Sequence, residues 1–388
     1  MTEPVLRIVG VGGAGCRIVD RLFDTVVHPS ALVAIDSDAR TLDECRAAAK
    51  IQIGESAGCG MGTGGDPEAA RLAALEEKEM LRALFADVGM VVVIAGLGGG
   101  AGAGAAPVVM ETAREEGALA LAMATLPFFF EGAARNRAAR AAMKDWARHA
   151  DSLLLAPNDR LAEFADDPAL AGAFRKVNGI LAAGIGGIEK LIVEPGLINL
   201  DFADIRSLLN RHGGIGVFAY GEGQGADKAA QALRALTGNP LLENGRALAR
   251  AKAVMLGIVG GEDMTLKEVG FLAQAVSESV GPDGKMLVGT AVSSDHEGRI
   301  ALTAIVPDPA ASESERVAAV PPDPEPAEGE PETNAPEEGA RLPRARQTRL
   351  KLEMPGKGRF KDVEPTIQNG QDLDIPTYIR RGIVIGKG

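Results

Sequence analysis

Short apolar runs alternate with amphipathic stretches through the first half of the chain. LRIVGV, ALVAID, MVVVIA, ALALAMATL and SLLLAP are predicted strands, because each is a brief apolar run of the kind that lies buried in a sheet. CRIVDRLFDTV, DPEAARLAALEEKEMLRALF and APVVMETAREEG keep apolar residues at helical spacing, and Asp66 followed by Pro67 is typical of a helix N-terminus. Strands that alternate with helices predict an α/β fold with a mostly parallel sheet covered on both faces.

A long apolar pattern with interspersed glycines marks the middle of the chain. It predicts one central helix from about Pro168 to Glu194, followed by the segment EPGLINLDFADI. Beyond it, IGVFAYG, AKAVMLGIV, KMLVGTAV and IALTAIVP are predicted strands, and DKAAQALRAL and TLKEVGFLAQAVSESV are predicted helices. This part indicates a smaller α+β domain.

The composition changes abruptly after Pro307. Residues 308–338 are rich in Pro, Glu and Ala, and residues 341–361 are rich in Arg and Lys, so neither segment carries enough apolar surface to form a core. They predict a disordered, charged linker. Apolar and aromatic residues return in LDIPTYIRRGIVIGKG, which indicates a docking peptide at the end of a tether. The sequence therefore predicts a first domain at residues 1–167 and a central helix with its loop at residues 168–204. A second domain follows at residues 205–307, then the linker at residues 308–370 and the tail at residues 371–388.

Composition excludes several classes of protein. The 46% content of apolar residues suffices for large cores, and the net charge of −12 disfavours a nucleic-acid binder. Cys16, Cys45 and Cys59, with four histidines in all, form neither a disulfide framework nor a zinc spacing, which fits a reducing compartment. The first residues lack a signal-peptide pattern, and no apolar run reaches the roughly 20 residues that span a bilayer. A cytoplasmic protein without a membrane span is expected.

The first predicted strand runs into GVGGAG, in which Gly10, Gly12 and Gly15 have the G-x-G-x-x-G spacing of a dinucleotide site. Asp36 ends the second strand at about the distance of a ribose-binding acid. The same glycine pattern also arises wherever a helix packs tightly on a strand. An NAD(P)-dependent oxidoreductase therefore remains an alternative at this point.

Two further glycine clusters, GCGMGTGGDP and GLGGGAGAGAAP, need an explanation that a dinucleotide fold does not supply. Three glycine loops at one edge of a sheet would surround a polyphosphate with backbone N–H groups. None of them matches the P-loop pattern, and none contains a lysine. We therefore expect a nucleotide site built on backbone donors and helix dipoles.

Seven segments, in this order along the chain, resemble those of the FtsZ family, the tubulin-like cell-division GTPases of bacteria: GVGGAG, GMGTGGDPE, GLGGGAGAGAAP, PFFFEGAARNR, APNDRL, PGLINLDFADI and NPLLE. The likeness covers residues 5–307, and LDIPTYIRR looks like the family's tail peptide, which binds membrane-anchoring division proteins. The resemblance implies a GTP-binding domain, a long central helix, a smaller activation domain and self-association into head-to-tail filaments. It also implies GTP and Mg²⁺ as the bound groups and a place at the division site.

The resemblance assigns site residues by motif. Glu131 and Arg135 would contact the ribose and phosphates, Phe174 would stack on the guanine, and Asn178, one turn later on the same helix face, would bind the edge of the base. Judged alone, Phe174 is more typical of an ordinary core aromatic, and its place in the motif favours the base-stacking role. The remaining GTP-binding positions would lie in the glycine loops: Gly12, Gly13, Gly62, Thr63, Gly64, Gly98, Gly99, Gly100, Ala101, Gly102, Ala103 and Gly104.

Two acids in NLDFAD are assigned to catalysis by the same resemblance. Asp201 and Asp204, with Asn199 beside them, would reach the nucleotide of the neighbouring subunit and polarise the attacking water. Without that context, two carboxylates at this spacing are typical of a helix cap and a solvated acid of the first helical turn. The metal ligands are not assigned.

The sequence departs from the family at several positions. The family's GGGTGTG loop reads GGGAGAG here, so Ala101 and Ala103 replace two threonines and remove two hydroxyl donors to phosphate. Thr63, where the family commonly has alanine, is expected to restore one hydroxyl. Cys16 and Asp36 stand where asparagines are usual. A second hypothesis is therefore a divergent filament or scaffold paralogue that binds nucleotide weakly and hydrolyses little.

Overall fold

The computed structural model describes residues 5–54, 62–163, 170–194, 196, 198, 200–211, 214–281, 284–307, 367–368 and 371–372. Within them the strands are β1 (Val5–Val11), β2 (Leu32–Asp36), β3 (Ala49–Gln52), β4 (Val88–Gly96), β5 (Leu119–Leu126), β6 (Ser152–Pro157), β7 (Ile215–Gln224), β8 (Ala253–Gly260), β9 (Lys285–Val292), β10 (Arg299–Pro307), β11 (Ile367–Gln368) and β12 (Gln371–Asp372). The α-helices are α1 (Gly12–Leu22), α2 (Ala39–Glu44), α3 (Pro67–Glu76), α4 (Lys78–Phe85), α5 (Gly100–Glu115), α6 (Ala133–His149), α7 (Asn158–Ala162), α8 (Leu170–Val193), α9 (Phe202–Arg211), α10 (Lys228–Thr237), α11 (Arg246–Arg250) and α12 (Leu266–Ser279).

Ten of the strands form one sheet in the order β3-β2-β1-β4-β5-β6-β7-β10-β8-β9. Neighbouring strands from β3 to β7 are all parallel, and β10 then runs antiparallel to both β7 and β8. The predicted α/β fold with a mostly parallel sheet is confirmed. The sheet is continuous across the boundary predicted at residues 167–205, because β6 pairs with β7 from Leu153↔Ile215 to Leu155↔Val217. The division into domains stays a prediction.

Strand β4 shows why both faces of this sheet are covered. Val91 and Val93 belong to the core on the side of α5, whereas Val92 and Ile94 belong to the core on the opposite side, with α1 and α8. Successive strand residues point to opposite faces, so a run without polar residues requires a helical layer on each side.

The glycine pattern in the central helix α8 has a packing cause. A Cβ at Gly184 would overlap the ring of Phe218 on β7, and a Cβ at Gly187 would lie 2.8 Å from Thr303 Oγ1 on β10. The predicted central helix is confirmed from Leu170 to Val193. Its glycines bring its axis close to the strands of the second half of the sheet.

Two helix boundaries differ from the prediction. DPEAARLAALEEKEMLRALF forms two helices, because Glu77 leaves helical geometry at φ −93° and ψ 11°. The break brings Leu81 and Phe85 fully into the core. At the start of α3 the predicted cap is confirmed: the Asp66 carboxylate accepts from the N–H groups of Glu68 and Ala69.

The second difference concerns GLGGGAGAGAAP, which was predicted to be a loop. Helix α5 already begins at Gly100, with Gly99 as its N-cap, so most of this run is helical. Only proline has a lower helix propensity than glycine, so a glycine-rich sequence does not predict a helix.

The carboxy-terminal region contributes one small described element. Ile367↔Asp372 and Gln368↔Gln371 pair antiparallel, within a separate unit that comprises residues 328–388. The rest of the predicted linker and of the predicted tail peptide lies outside the described residues. Of the helices that the structure describes, none is both long and apolar enough to cross a membrane.

Candidate functional site

Two helices begin side by side at the carboxyl edge of the parallel sheet. Strands β1 and β4 pair in parallel up to Val11↔Ala95, and each is followed within a few residues by a helix. The two N-termini are in contact, since a Cβ at Gly12 would lie 3.0 Å from the backbone nitrogen of Gly102. Helix N-termini present free N–H groups and a positive dipole end, so this edge favours an anion.

Six of the nine predicted phosphate-binding glycines fall into two groups of three. A Cβ at Gly100 would lie 2.5 Å from Thr63 Oγ1, one at Gly102 would lie 2.5 Å from the carbonyl oxygen of Gly96, and one at Gly104 would overlap the carbonyl of Pro67. These three glycines lack side chains because α5 packs closely on β4 and on the start of α3. Their small size therefore needs no ligand to explain it.

The second group faces open space. No atom of the described residues outside their immediate chain neighbours lies within 4 Å of a Cβ built at Gly13, Gly64 or Gly99. These three belong to the three different glycine loops. We call the surface formed by the three glycine loops and the N-termini of α1 and α5 the glycine cradle. Gly13, Gly64 and Gly99 mark the side of this cradle on which a ligand has room to approach the backbone.

The glycine loops are also joined to the start of α6. Gly98 has a φ of +90°, which favours glycine, and a Cβ there would lie 2.8 Å from the carbonyl oxygen of Arg135. Arg135 Nη1 lies 3.0 Å from Glu131 Oε2, and Glu131 Oε1 accepts from the N–H of Phe128 at 2.8 Å. The structure thus brings Glu131 and Arg135 together, with the half-exposed guanidinium at the rim of the cradle.

Phe174 and Asn178 line one cleft, as the spacing predicted. The cleft has a volume of about 680 Å³ and lies between α8 and α1. The ring of Phe174 meets that of Phe128 edge-on, with centroids 5.0 Å apart. The other lining residues, mostly polar or charged, are Cys16, Arg17, Asp20, Arg21, Asp24, Thr41, Glu44, Cys45, Arg46 and Arg175.

The two positions that replace family asparagines are both buried. Cys16 is 1% exposed, and its Sγ lies 3.8 Å from the carbonyl oxygen of Ile35. Burial raises the pKa of the Cys16 thiol, which keeps it neutral. Asp36 Oδ1 accepts from the N–H groups of Ser37 and Asp38 at 2.7 and 3.2 Å, and burial raises the pKa of this carboxyl as well. This oxygen of Asp36 is engaged by the turn that follows it.

The two predicted catalytic acids lie at the beginning of α9. Asp201 Oδ1 accepts from the N–H of Ala203 at 2.9 Å, so this carboxylate caps the helix, and Asp204 is exposed in the first turn. The alternative of a cap and a first-turn acid therefore describes the local geometry correctly. In this geometry both carboxylates are exposed at the surface of the subunit. Asn199 lies outside the described residues.

The acids are remote from the cradle of their own subunit. Arg206, in the second turn of α9, donates to the carbonyl oxygen of Gly117 at 3.0 Å, and Gly117 follows the C-terminal end of α5. A helix of the length of α5, which is 16 residues, extends about 24 Å. The cradle is at one end of α5 and the acids are near the other.

Two buried asparagines near the site are not among the residues predicted from the sequence. Asn158 opens α7 directly after β6, at the carboxyl edge of the sheet, and Asn136 lies one turn into α6. Both are at least 93% buried, and the Oδ1 atom of each has no partner among the described residues. The segment APNDRL resembles the family at this point, but the resemblance predicts no role for its asparagine. An oxygen that is buried without a partner indicates that a ligand or water completes its hydrogen bonding.

Comparisons with known proteins agree with this geometry. Residues 5–166 match the family model for the GTPase domain of the tubulin/FtsZ family, and residues 214–308 match that for the FtsZ C-terminal domain. Cell division protein FtsZ 1 of Archaeoglobus fulgidus is 36% identical over 78% of this chain and 82% of its own length. Cell division protein FtsZ of Magnetospirillum gryphiswaldense is 34% identical over the same share of this chain, which spans about half (54%) of that relative.

A solved structure of an empty FtsZ dimer from M. jannaschii superimposes with a TM-score of 0.73. It is 33% identical and covers 79% of this chain and 88% of its own. The interpretation of GVGGAG as the fingerprint of an NAD(P)-dependent oxidoreductase is therefore wrong, because the matched domain is a GTPase domain. The converging helix N-termini, the open glycines and the paired sequence and structural matches lead to one assignment: the chain belongs to the tubulin/FtsZ family and carries its GTPase domain.

Proposed function

We propose that this protein binds GTP in the glycine cradle and hydrolyses it at the junction between two subunits of a head-to-tail filament. The observation that carries the proposal is the separation of the two halves of the site. The anion-binding edge and the exposed acids lie near opposite ends of α5, a helix about 24 Å long. Neither half suffices alone, whereas stacking one subunit on the next brings the acids of one to the cradle of the other.

In this arrangement the phosphates lie against the backbone of the open glycines Gly13, Gly64 and Gly99. Arg135, at the rim, neutralises phosphate charge, while Glu131 holds the guanidinium by its ion pair. The guanine enters the cleft beside Phe174, and Asn178 hydrogen-bonds its edge. The full set of GTP-binding positions proposed from the family remains Gly12, Gly13, Gly62, Thr63, Gly64, Gly98, Gly99, Gly100, Ala101, Gly102, Ala103, Gly104, Glu131, Arg135, Phe174 and Asn178.

The chemistry assigned to the acids is the activation of water. Asp201 and Asp204 of the adjoining subunit orient a water molecule and accept its proton as its oxygen attacks the γ-phosphorus. The bond between that phosphorus and the β–γ bridging oxygen breaks, and GDP and inorganic phosphate leave. Asp201 has one oxygen engaged by the N–H of Ala203, which fixes its orientation. Asn199 is proposed to lie beside the two acids.

Mg²⁺ is proposed to bind together with GTP, where it would neutralise charge on the phosphates. This cation keeps most of its waters and takes only one or two protein oxygens, so it needs no cluster of carboxylates. Two hydroxyl oxygens lie near the cradle: that of Thr63, beside Gly100, and that of Ser37, which would lie 3.9 Å from a Cβ at Gly62. Both fit a cation that is held mainly by phosphate and water.

The cellular role proposed from the family is cell division in the cytoplasm, at the division site. The tail peptide, residues 371–388, would join the filament to membrane-anchoring division proteins, and the charged linker, residues 308–370, would supply reach. A polybasic, apolar peptide of this kind docks in a partner's groove or on anionic lipid. We favour the groove.

A divergent paralogue that forms filaments or a scaffold but hydrolyses little is the second candidate. Ala101 favours it, because the hydroxyl of the family's threonine is missing there and binding would weaken by about three- to tenfold, whereas Ala103 is 6% exposed and lies in the core. Thr63 argues the other way, since its hydroxyl lies beside Gly100, next to the position of one lost hydroxyl.

Light scattering and phosphate release, measured in one sample, distinguish the two candidates. The sample is measured in parallel with GTP, GDP and a slowly hydrolysed GTP analogue. For the proposed GTPase, light scattering should increase with GTP, phosphate should be released, and the specific activity should rise steeply above a threshold protein concentration. For a scaffold paralogue, light scattering would increase without release of phosphate. Specific activity that is equal at every protein concentration contradicts hydrolysis at a subunit junction.

A further inference from the structure

The loop between α8 and α9 is fastened to strand β9 at one residue. The backbone N–H of Ile198 donates to the hydroxyl of Thr290 at 2.8 Å, and the backbone N–H of Thr290 donates to the carbonyl oxygen of Ile198 at 2.9 Å. Thr290 is 1% exposed. The two hydrogen bonds run in opposite directions between the same two residues, so they fix both the position and the orientation of the loop at this point.

The loop approaches the strand closely on both sides of that pair. A Cβ at Gly196 would overlap the carbonyl of Thr290, and a Cβ at Gly289 would overlap the side chain of Leu200. Glycine is therefore required at position 196, where the backbone of the loop meets the backbone of β9, and the Leu200 side chain packs on Gly289. Backbones this close leave little room for the loop to slide along β9.

The end of α8 is held to the same part of the second half of the chain. Lys190 Nζ lies 2.6 Å from Asp295 Oδ2, and the Lys190 side chain is 5% exposed. The Ser293 hydroxyl donates to Glu194 Oε1 at 3.0 Å. These contacts fix where the loop begins, and the Thr290 pair fixes its middle. The loop then runs through Leu200 directly into Asp201.

We propose that Thr290 is a positioning residue for the two acids, a role that rests on the proposed hydrolysis at the subunit junction. Its hydroxyl holds Ile198, three residues before Asp201, and so sets where the carboxylates project from the subunit. A water that must be aligned with the γ-phosphorus tolerates little displacement of the group that orients it. Thr290 lies on β9, in the second half of the sheet. The second half of the sheet therefore controls the geometry of acids that act on a nucleotide bound by another subunit.

The test compares three substitutions in the full chain. Thr290→Val removes the acceptor for the Ile198 N–H at nearly constant volume, and Thr290→Ser keeps it. Thr303→Val is the matched control: Thr303 is a buried threonine on β10, whose hydroxyl lies against Gly187 of α8 rather than against the loop. The measurements are the GTP dissociation constant, sedimentation with a slowly hydrolysed GTP analogue, and phosphate release per sedimented subunit at saturating GTP.

Thr290→Val is expected to lower phosphate release per sedimented subunit by about tenfold or more, while the GTP dissociation constant and sedimentation change less than about twofold. Thr290→Ser and Thr303→Val should retain the parent rate. A rate for Thr290→Val equal to that of Thr303→Val overturns the proposal. Equal loss of rate in Thr290→Ser also overturns it, because the hydroxyl would then not be the cause.

Hydrogen–deuterium exchange separates this proposal from the proposed function. Thr290→Val should speed the exchange of the Ile198 amide by about two- to tenfold, whereas Thr303→Val should not. If the parent protein releases no phosphate at any concentration, the proposed function fails, and the exchange result still decides whether Thr290 holds the loop. Unchanged exchange at Ile198 in Thr290→Val contradicts the positioning role whatever the parent activity is.

Discussion

The ring of Phe174 meets the ring of Phe128 edge-on, with the centroids 5.0 Å apart and the ring planes at 85°. Phe128 is 3% exposed, and its backbone N–H donates to Glu131. The half-buried aromatic of the cleft is therefore braced by a core aromatic that is itself tied to the rim of the cradle. Phe174 thus contacts a buried ring, as an ordinary core aromatic would, and it also lines the cleft.

Phe174→Ala should weaken GTP binding by about five- to a hundredfold, because stacking on a base contributes roughly 1–3 kcal/mol. Phe130→Ala is the matched control. Phe130 also stacks on Phe128, with the ring centroids 4.9 Å apart, but it is 54% exposed and does not line the cleft. Titration of both variants with a fluorescent GTP analogue measures the effect. Equal affinities for the two variants would mean that the base does not bind beside Phe174.

Threonine substitutions at Ala101 and Ala103 should differ in effect: the first should improve GTP binding, and the second should destabilise the fold. Ala101 is partly exposed beside Gly12, so Ala101→Thr should tighten GTP binding by about three- to tenfold through a new hydrogen bond. Ala103 is 6% exposed within the core, so Ala103→Thr should destabilise the fold by about 1–3 kcal/mol through overpacking. Calorimetric titration and thermal unfolding check the two effects. A gain in affinity only from Ala103→Thr would show that the helix presents its other face to the phosphates.

Replacing the acids should separate binding from turnover. Asp204→Ala should leave GTP binding nearly intact and abolish most phosphate release. Asp201→Ala should in addition cost about 1 kcal/mol of stability, because it removes a helix cap, whereas Asp201→Ser keeps the cap and loses only the charge. Binding constants, thermal unfolding and phosphate release are measured for all three variants. Loss of binding as severe as in Phe174→Ala would place the acids in the pocket of their own subunit.

Mixing two inactive variants tests the shared site directly. A subunit with Asp204→Ala still contributes a nucleotide, and one with Phe174→Ala still contributes the acids. At a GTP concentration that leaves Phe174→Ala largely unoccupied, each variant alone should release little phosphate, and the mixture should recover release partially. A mixture as inactive as its components, although it co-sediments with the GTP analogue, rules out hydrolysis between subunits.

Asp36 should make the folded protein less stable as the pH rises. Burial raises the pKa of this carboxyl above its ordinary value of 3.8, so its contribution to stability is present below that value and is lost as the pH rises through the folded-state pKa. Asp36→Asn keeps the acceptor for the N–H groups of Ser37 and Asp38 without the charge. It should raise the unfolding temperature at pH 7.5, and the gain should vanish near pH 4.

Asp263 provides the control of opposite sign. Its hydrogen bond from Lys228 lowers the pKa of the Asp263 carboxyl, so that contribution to stability is present above the ordinary value and is lost as the pH falls through the folded-state pKa. Asp263→Asn should lower the unfolding temperature at pH 7.5 and have less effect in acid. Equal pH profiles for the Asp36 and Asp263 variants would refute the assignment of burial as the cause at Asp36.

Removing the linker and tail should leave assembly intact. A chain that ends at Pro307 keeps all ten strands of the main sheet, so it should fold and sediment with GTP as the full chain does. The isolated peptide of residues 371–388 should not co-sediment with anionic vesicles at physiological salt, because a partner's groove is its proposed site. Co-sedimentation would assign the tail to lipid instead.

The sequence by itself determined the features that depend on local periodicity and local chemistry. Apolar runs without alternation predicted strands that are buried on both faces, and β4 is such a strand, with Val92 and Val93 in opposite cores. Asp66 before Pro67 predicted a cap, which the structure confirms. The spacing of Phe174 and Asn178 placed them on one face of α8. Each of these inferences involves residues within about two helical turns or one strand.

Only the tertiary structure decided the features that depend on distant contacts. Gly100 begins a helix although its propensity opposes it, because the missing side chain lets α5 meet Thr63 of another loop. Thr290 lies 92 residues from Ile198, and no local pattern connects them. The placement of the acids near the far end of α5 follows from the packing of Arg206 on Gly117. Local propensities are worth less than about 1 kcal/mol per residue, so packing between distant elements overrides them and sets the geometry of the site.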